Sequence, residues 1–185
     1  ELALPVLGAV EPGARAAVAA TRTGRVGVIG TLGTVRSGSY ARAIAAADPR
    51  VQVTAHACPL LVPLAEEGWL DDDVAAAVAR RYLTTLAEEA PELDVLVLGC
   101  THYPLLRPLH TRVAHEIFGR AVTLVDSADA MAEVARAELA RLGLLDGDDD
   151  GDGALRCYVT DDARIDEVGH RFLGRHLGEI SRVDL

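Results

Sequence analysis

Four strand-like runs, Val26–Ile29, Val51–Ala57, Val95–Leu98 and Val122–Val125, punctuate the chain, and each leads into residues that favour a helix. The third run shows no alternation of apolar and polar positions, as expected of a strand covered on both faces. Strands that alternate with helices point to an α/β fold with a mostly parallel sheet, because parallel neighbours need a crossover and a helix supplies it. In such a sheet, ligands sit outside the carboxyl ends of the strands.

The remaining elements follow from local signals. Leu4–Val10 reads as a strand, and Glu11–Pro12 opens a helix with Pro in an allowed first-turn position. The Gly/Thr turn Gly30–Thr34 starts a helix reaching Ala47. In the helix Asp71–Ala90, three aspartates lie at the positive end, and Val74, Val78, Tyr82 and Leu86 form a stripe beside Ala75, Ala79 and Leu83. Pro104 opens another helix, and a helix through Met131, Val134 and Leu142 ends at Gly143. An acidic linker, Asp146–Gly153, precedes a strand at Leu155–Thr160, a helix at Asp162–Leu173 and a strand at Ile180–Val183.

Charge narrows the function. Eighteen basic against 28 acidic residues give a net charge of -10. That balance repels phosphate backbones and anionic lipid surfaces, so neither nucleic acid nor a membrane is expected as a partner. No apolar run reaches the roughly 20 residues that a membrane helix requires. The start has neither a basic segment nor a cleavage site and lacks Met, so position 1 reads as a point inside a longer chain. Cys58, Cys100 and Cys157 are odd in number and too widely spaced for a zinc site, which fits free thiols in a reducing cytoplasm.

The strongest chemical signal is Leu98-Gly99-Cys100-Thr101-His102-Tyr103-Pro104, at the end of a buried strand and the start of a helix. A thiol there is expected to feel the positive helix end and to favour thiolate. Gly99 permits close approach, Thr101 and the backbone N–H groups offer a carboxylate donors, and His102 is a nearby acid or base. Two chemistries are open to such a thiol. A tyrosine-phosphatase loop has Arg where this chain has Leu106, with Arg107 one residue late. A cysteine hydrolase needs a base oriented on the thiol by a third group, and the sequence leaves that open. Proton abstraction beside a carboxylate is the other class.

Other signals are weaker. Gly30–Thr34 is neither a dinucleotide fingerprint nor a P-loop. The acidic linker begins like a calcium loop, but its closing position is Cys157 rather than Glu, so it reads as solvated chain. Arg80, Arg81, Glu88 and Glu89 read as a solvated helix face, His56 as a packing or hydrogen-bonding group, and Trp69 as a core or interface anchor.

The string Gly99-Cys100-Thr101-His102-Tyr103-Pro104-Leu105-Leu106 resembles the hallmark of glutamate racemases. Pro5–Gly8 with Glu11-Pro12, Gly30–Ser37 with Tyr40, Ala57–Leu64 with Glu66, and Asp126-Ser127 resemble further segments of that family in order and spacing. Aspartate racemases share the fold but typically carry an acidic residue at the place of His102. The alternatives are a racemase of a related acid such as aspartate, or a truncated product that only binds.

The resemblance implies a two-lobed α/β fold, with residues 24–126 as one complete lobe and 1–23 and 127–185 as parts of another. It implies inversion of glutamate with neither metal nor pyridoxal cofactor, D-glutamate supply for peptidoglycan in a bacterial cytoplasm, and a homodimer for the full-length enzyme. Cys100 is then acid or base on one face of the α-carbon, His102 activates the thiol and touches substrate, and Glu66 assists. Thr101, Thr31 and Thr34 bind substrate. The Asp-Ser-Gly loop and the Cys-Asn-Thr segment of the family are not among these residues, and neither Cys58 nor Cys157 has the Asn-Thr context. The chain is therefore expected not to racemise by itself, and to associate through incompletely covered apolar surface.

Overall fold

A computed structural model describes residues 5–145 and 155–184. The elements are α1 (Val10–Ala20), β1 (Arg25–Gly30), α2 (Leu32–Ser37), α3 (Ser39–Ala47), β2 (Gln52–Ala57), α4 (Leu61–Glu67), α5 (Asp73–Glu89), β3 (Val95–Gly99), α6 (Arg107–Phe118), β4 (Thr123–Asp126) and α7 (Ser127–Leu142), followed by β5 (Arg156–Val159), α8 (Ile165–Leu173) and β6 (Glu179–Arg182). They form two compact units that divide after Leu145.

In the first unit, β2-β1-β3-β4 make an all-parallel sheet. Side chains alternate across it. Ile29, Leu96 and Leu98 face a core shared with α4, α5 and α6, whereas Val26, Val28, Val95, Val97 and Val125 face one built with α1 and α3. Burial on both faces explains why β3 carries only aliphatic side chains before Gly99. At the amino end of the sheet, the Asp94 carboxylate accepts from Thr21 Oγ1, Thr23 Oγ1 and the N–H groups of Arg22 and Thr23, fixing the turn between α1 and β1.

Several expectations change. Pro5–Ala9 is not a strand, and Leu4 lies outside the described residues. Pro5 has no N–H to give a ladder and Val6 is exposed, so the run neither pairs nor packs. The helix after Gly30 is two, because Gly38 adopts φ 62° between α2 and α3. Pro104 sits in a 3-10 turn, Tyr103–Leu106, and α6 begins only at Arg107. On α5 the stripe at Ala75, Ala79, Leu83 and Leu86 is buried, while Val74 is exposed. Trp69 is also exposed and is not a core residue. Arg80, Arg81, Glu88 and Glu89 are exposed, and Arg80 reaches Glu116 of α6 at 2.8 Å. The calcium-like linker lies outside the described residues.

The compact first unit extends beyond residues 24–126, because α1 packs on α3 and α7 as well as on the sheet. Gly13 makes this close approach possible, since a Cβ there would collide with the Ser127 side chain. The second unit is a small βαβ fold in which β5 and β6 pair in parallel around α8. Gly178 passes so close to the Leu155 carbonyl that a side chain there would have no room.

Candidate active site

The carboxyl edge of the sheet collects the candidate residues. β1 and β3 run in register to Gly30 and Gly99, so the segments that follow, Thr31 and Cys100, leave the sheet side by side. Gly99 is required at the strand end. A Cβ there would lie 2.9 Å from the Ile29 carbonyl oxygen and 3.1 Å from Tyr40 Cε2. Directly beyond it, the partly exposed Cys100 thiol stands in a turn.

Cys100 heads a chain of polar contacts. Its sulfur is 3.8 Å from His102 Nδ1, and His102 Nε2 is 2.9 Å from Glu66 Oε1. Thr101 Oγ1 is 3.5 Å from the same Nδ1. Glu66 rides on α4, a helix that sequence patterning did not single out. The tether placing α4 beside the turn is Tyr103, fully buried, whose hydroxyl donates to the Cys58 carbonyl at 2.8 Å. Thr31 caps α2, its oxygen accepting from Thr34 N at 3.2 Å with the two hydroxyls 3.0 Å apart. Sequence reasoning placed Cys100, Thr101, His102 and Glu66 in one site, and these four are contiguous in space. Thr31 and Thr34 pair with each other at the end of the neighbouring strand.

Electrostatics at the thiol differ from expectation. Burial raises the Cys100 pKa, and the hydrogen bonds from the His102 and Tyr103 backbone N–H groups oppose that shift without overcoming it. The chain enters α6 through a 3-10 turn, so the thiol meets individual N–H groups rather than the end of a full helix. Cys58, by contrast, is sealed in the core and its thiol is pushed up to about 12 by burial. Its sulfur lies 3.7 Å from the His56 carbonyl oxygen. The His56 ring packs on Tyr82. Cys157 stands on β5 in the second unit.

Behind the site is a polar contact that the sequence did not reveal. Tyr40 of α3, whose ring touches Gly99, bonds through its hydroxyl to Ser127 Oγ at 2.6 Å in a buried setting. Ser127 opens α7, and Asp126 caps that helix by accepting from Ala128 N. Arg107 closes over Asp126 at 3.4 Å. The sequence signals available were Tyr40, in step with the Gly/Thr turn, and the Asp126-Ser127 pair, both noted only through family resemblance.

Comparison with known proteins identifies the family and the fold. Residues 1–135 match the family model described as Asp/Glu/Hydantoin racemase. Over 185 residues the chain is 51% identical to a glutamate racemase of Geobacter metallireducens, covering all of this chain and 66% of that protein. A glutamate racemase of Syntrophus aciditrophicus is 49% identical, with 98% and 65% covered. Among solved structures, a Bacillus anthracis glutamate racemase superposes with a TM-score of 0.87 at 34% identity, covering 100% of this chain and 66% of that one. A Francisella tularensis glutamate racemase in complex with D-glutamate gives 0.85 at 27% identity, covering 98% and 65%. The chain thus spans just under two thirds of the length of the curated relatives it matches. On the strength of the family match and of the fold it shares with these structures, the chain belongs to the Asp/Glu/hydantoin racemase family.

Proposed function

We propose that these residues supply one of the two acid–base faces of a glutamate racemase. The observation that carries the reading is the Cys100–His102–Glu66 sequence of contacts at the carboxyl edge of β3. With Glu66 accepting from Nε2–H, the neutral imidazole presents Nδ1 as an acceptor to the thiol. His102 takes the thiol proton, and the thiolate removes the α-proton of a bound amino acid. The α-carbon keeps the electron pair as a carbanion-like species, and the thiol later returns a proton. Thr101, Thr31 and Thr34 hold the substrate carboxylates in this reading.

Inversion needs an acid on the opposite face of the planar intermediate. Cys58 cannot serve, because it is buried and its thiol is held protonated. The 185-residue chain is therefore proposed to exchange the α-proton of one enantiomer without inverting it. For the whole protein we propose cytoplasmic interconversion of L- and D-glutamate for peptidoglycan, in a homodimer. In that whole protein we assign residues 1–23 and 127–185 to a second lobe that meets the first through α1, and the exposed Leu139, Leu142, Leu144 and Leu145 support further apolar packing at the end of α7.

Proton NMR of L- and D-glutamate in deuterium oxide tests this. Loss of one enantiomer's α-proton signal, abolished by Cys100→Ala, supports the reading. Equal exchange in Cys100→Ala refutes it, and faster exchange with aspartate reassigns the substrate.

A further inference from the structure

The thiol needs its N–H donors held in place, yet it stands in a turn rather than in a regular element. Those donors belong to His102 and Tyr103. They stand where the chain enters the 3-10 turn Tyr103–Leu106, and Tyr103 N also bonds to the Cys100 carbonyl at 3.1 Å. Such short turns have poor hydrogen-bond geometry and little stiffness of their own.

The side chain of Tyr103 supplies the missing restraint. It is fully buried between the sheet and α6, its ring edge-on to His110 at 6.1 Å between centroids. Its hydroxyl donates across 45 residues of sequence separation to the Cys58 carbonyl. Cys58 is itself pinned to the sheet, because its N–H donates to the Gly30 carbonyl at 2.8 Å. The same carbonyl of Cys58 also accepts the N–H of Leu61, the first residue of α4, which carries Glu66. One buried oxygen therefore ties the turn bearing His102 to the helix bearing its carboxylate partner.

We propose that Tyr103 is a positioning residue for the reacting thiol: its hydroxyl, anchored on the Cys58 carbonyl, fixes the turn whose N–H groups face the Cys100 sulfur and sets the reach from His102 to Glu66. The inference rests on Cys100 being the proton-transferring group. The titratable groups that face this thiol are His102, with Glu66 behind it, Tyr103 itself and Tyr40. Those around Tyr103 are Cys58, Tyr82 and His110. Removing the phenol oxygen deletes none of their charges, so a change at Cys100 reports geometry.

The experiment is the pH profile of Cys100 alkylation by iodoacetamide on the 185-residue chain, read by mass spectrometry of the Cys100 peptide. Tyr103→Phe is expected to move the profile up by about one pH unit, as for loss of one hydrogen bond to a charged group. 4-Aminophenylalanine at position 103 restores a donor on the same ring and is expected to bring the profile back toward wild type. A Tyr103→Phe profile that superposes on wild type, with only thermal stability lowered, overturns the proposal. On the unaltered chain, the tether requires the Tyr103 amide to resist hydrogen exchange, and exchange at the free-peptide rate overturns it equally. Because alkylation needs no substrate, these outcomes are independent of whether glutamate is the natural one.

Discussion

His102 Nε2 lies 2.9 Å from the Glu66 carboxylate, while Nδ1 of the same ring faces the Cys100 sulfur at 3.8 Å. The carboxylate fixes which nitrogen carries the proton, and so leaves the other able to accept from the thiol. Glu66→Gln keeps the shape but no longer enforces that tautomer. The α-proton exchange rate is expected to fall about 10- to 100-fold with KM nearly unchanged, the range of a partial loss of acid–base assistance. His102→Asn is expected to fall at least as far. Rates followed by proton NMR in deuterium oxide decide it; an unaltered rate in Glu66→Gln makes the pair a surface contact only.

The glycine before the thiol gives a second expectation. A methyl group at Gly99 meets the Ile29 carbonyl at 2.9 Å and the Tyr40 ring at 3.1 Å. A backbone oxygen inside a paired sheet cannot move aside without disturbing β1. Gly99→Ala is therefore expected to cost about 2 kcal/mol, in the range of overpacked cores, and to displace Cys100 enough to suppress exchange. Urea unfolding and the NMR assay measure the two effects; full activity in a folded variant would show that the strand end has slack.

Much of this was legible in the sequence because it rests on short-range pattern. The strands at Val26–Ile29, Val95–Leu98 and Val122–Val125 follow from short apolar runs, of which Val95–Leu98 has the unbroken pattern of a strand covered on both faces. Cys100, Thr101 and His102 are adjacent in the chain, so their proximity needed no fold. Glu66 could be placed beside them through family resemblance alone, since 36 residues separate it from His102. The Tyr40–Ser127 and Tyr103–Cys58 bonds span 87 and 45 residues, and no local pattern encodes a side chain's distant acceptor. The direction of the Cys100 shift was missed for a related reason: burial is a property of the assembled edge, and here it outweighs two N–H donors. Pro5–Ala9 was misread because an apolar run forms a strand only where a neighbour accepts it.

The Tyr40–Ser127 bond makes a prediction about coupling rather than about either residue alone. Tyr40→Phe leaves Ser127 Oγ without its 2.6 Å partner in a buried place, and Ser127→Ala does the same to the phenol. Each single change is expected to cost about 1–2 kcal/mol. The double variant removes both polar atoms together, so its cost is expected to fall short of the sum by about 1 kcal/mol. Urea unfolding of the four proteins closes the cycle. Strict additivity would mean that the two hydroxyls do not depend on each other.

His110 sets the expected response to acid. The ring is fully buried on α6, and among the described residues neither nitrogen has a hydrogen-bond partner. Burial therefore pushes its pKa down to about 4 from an ordinary 6.5. Below pH 6.5 the unfolded chain takes up a proton that the folded chain refuses. The stability that His110 permits is complete above that value and is lost as the pH falls toward 4. The loss amounts to about 3 kcal/mol across the window. His110→Leu removes the titrating group while filling similar space. Urea midpoints taken between pH 7 and pH 4.5 are expected to fall for the wild-type chain more steeply than for the variant. Two parallel curves would show that the ring is protonated inside the fold, with a partner gained on acidification.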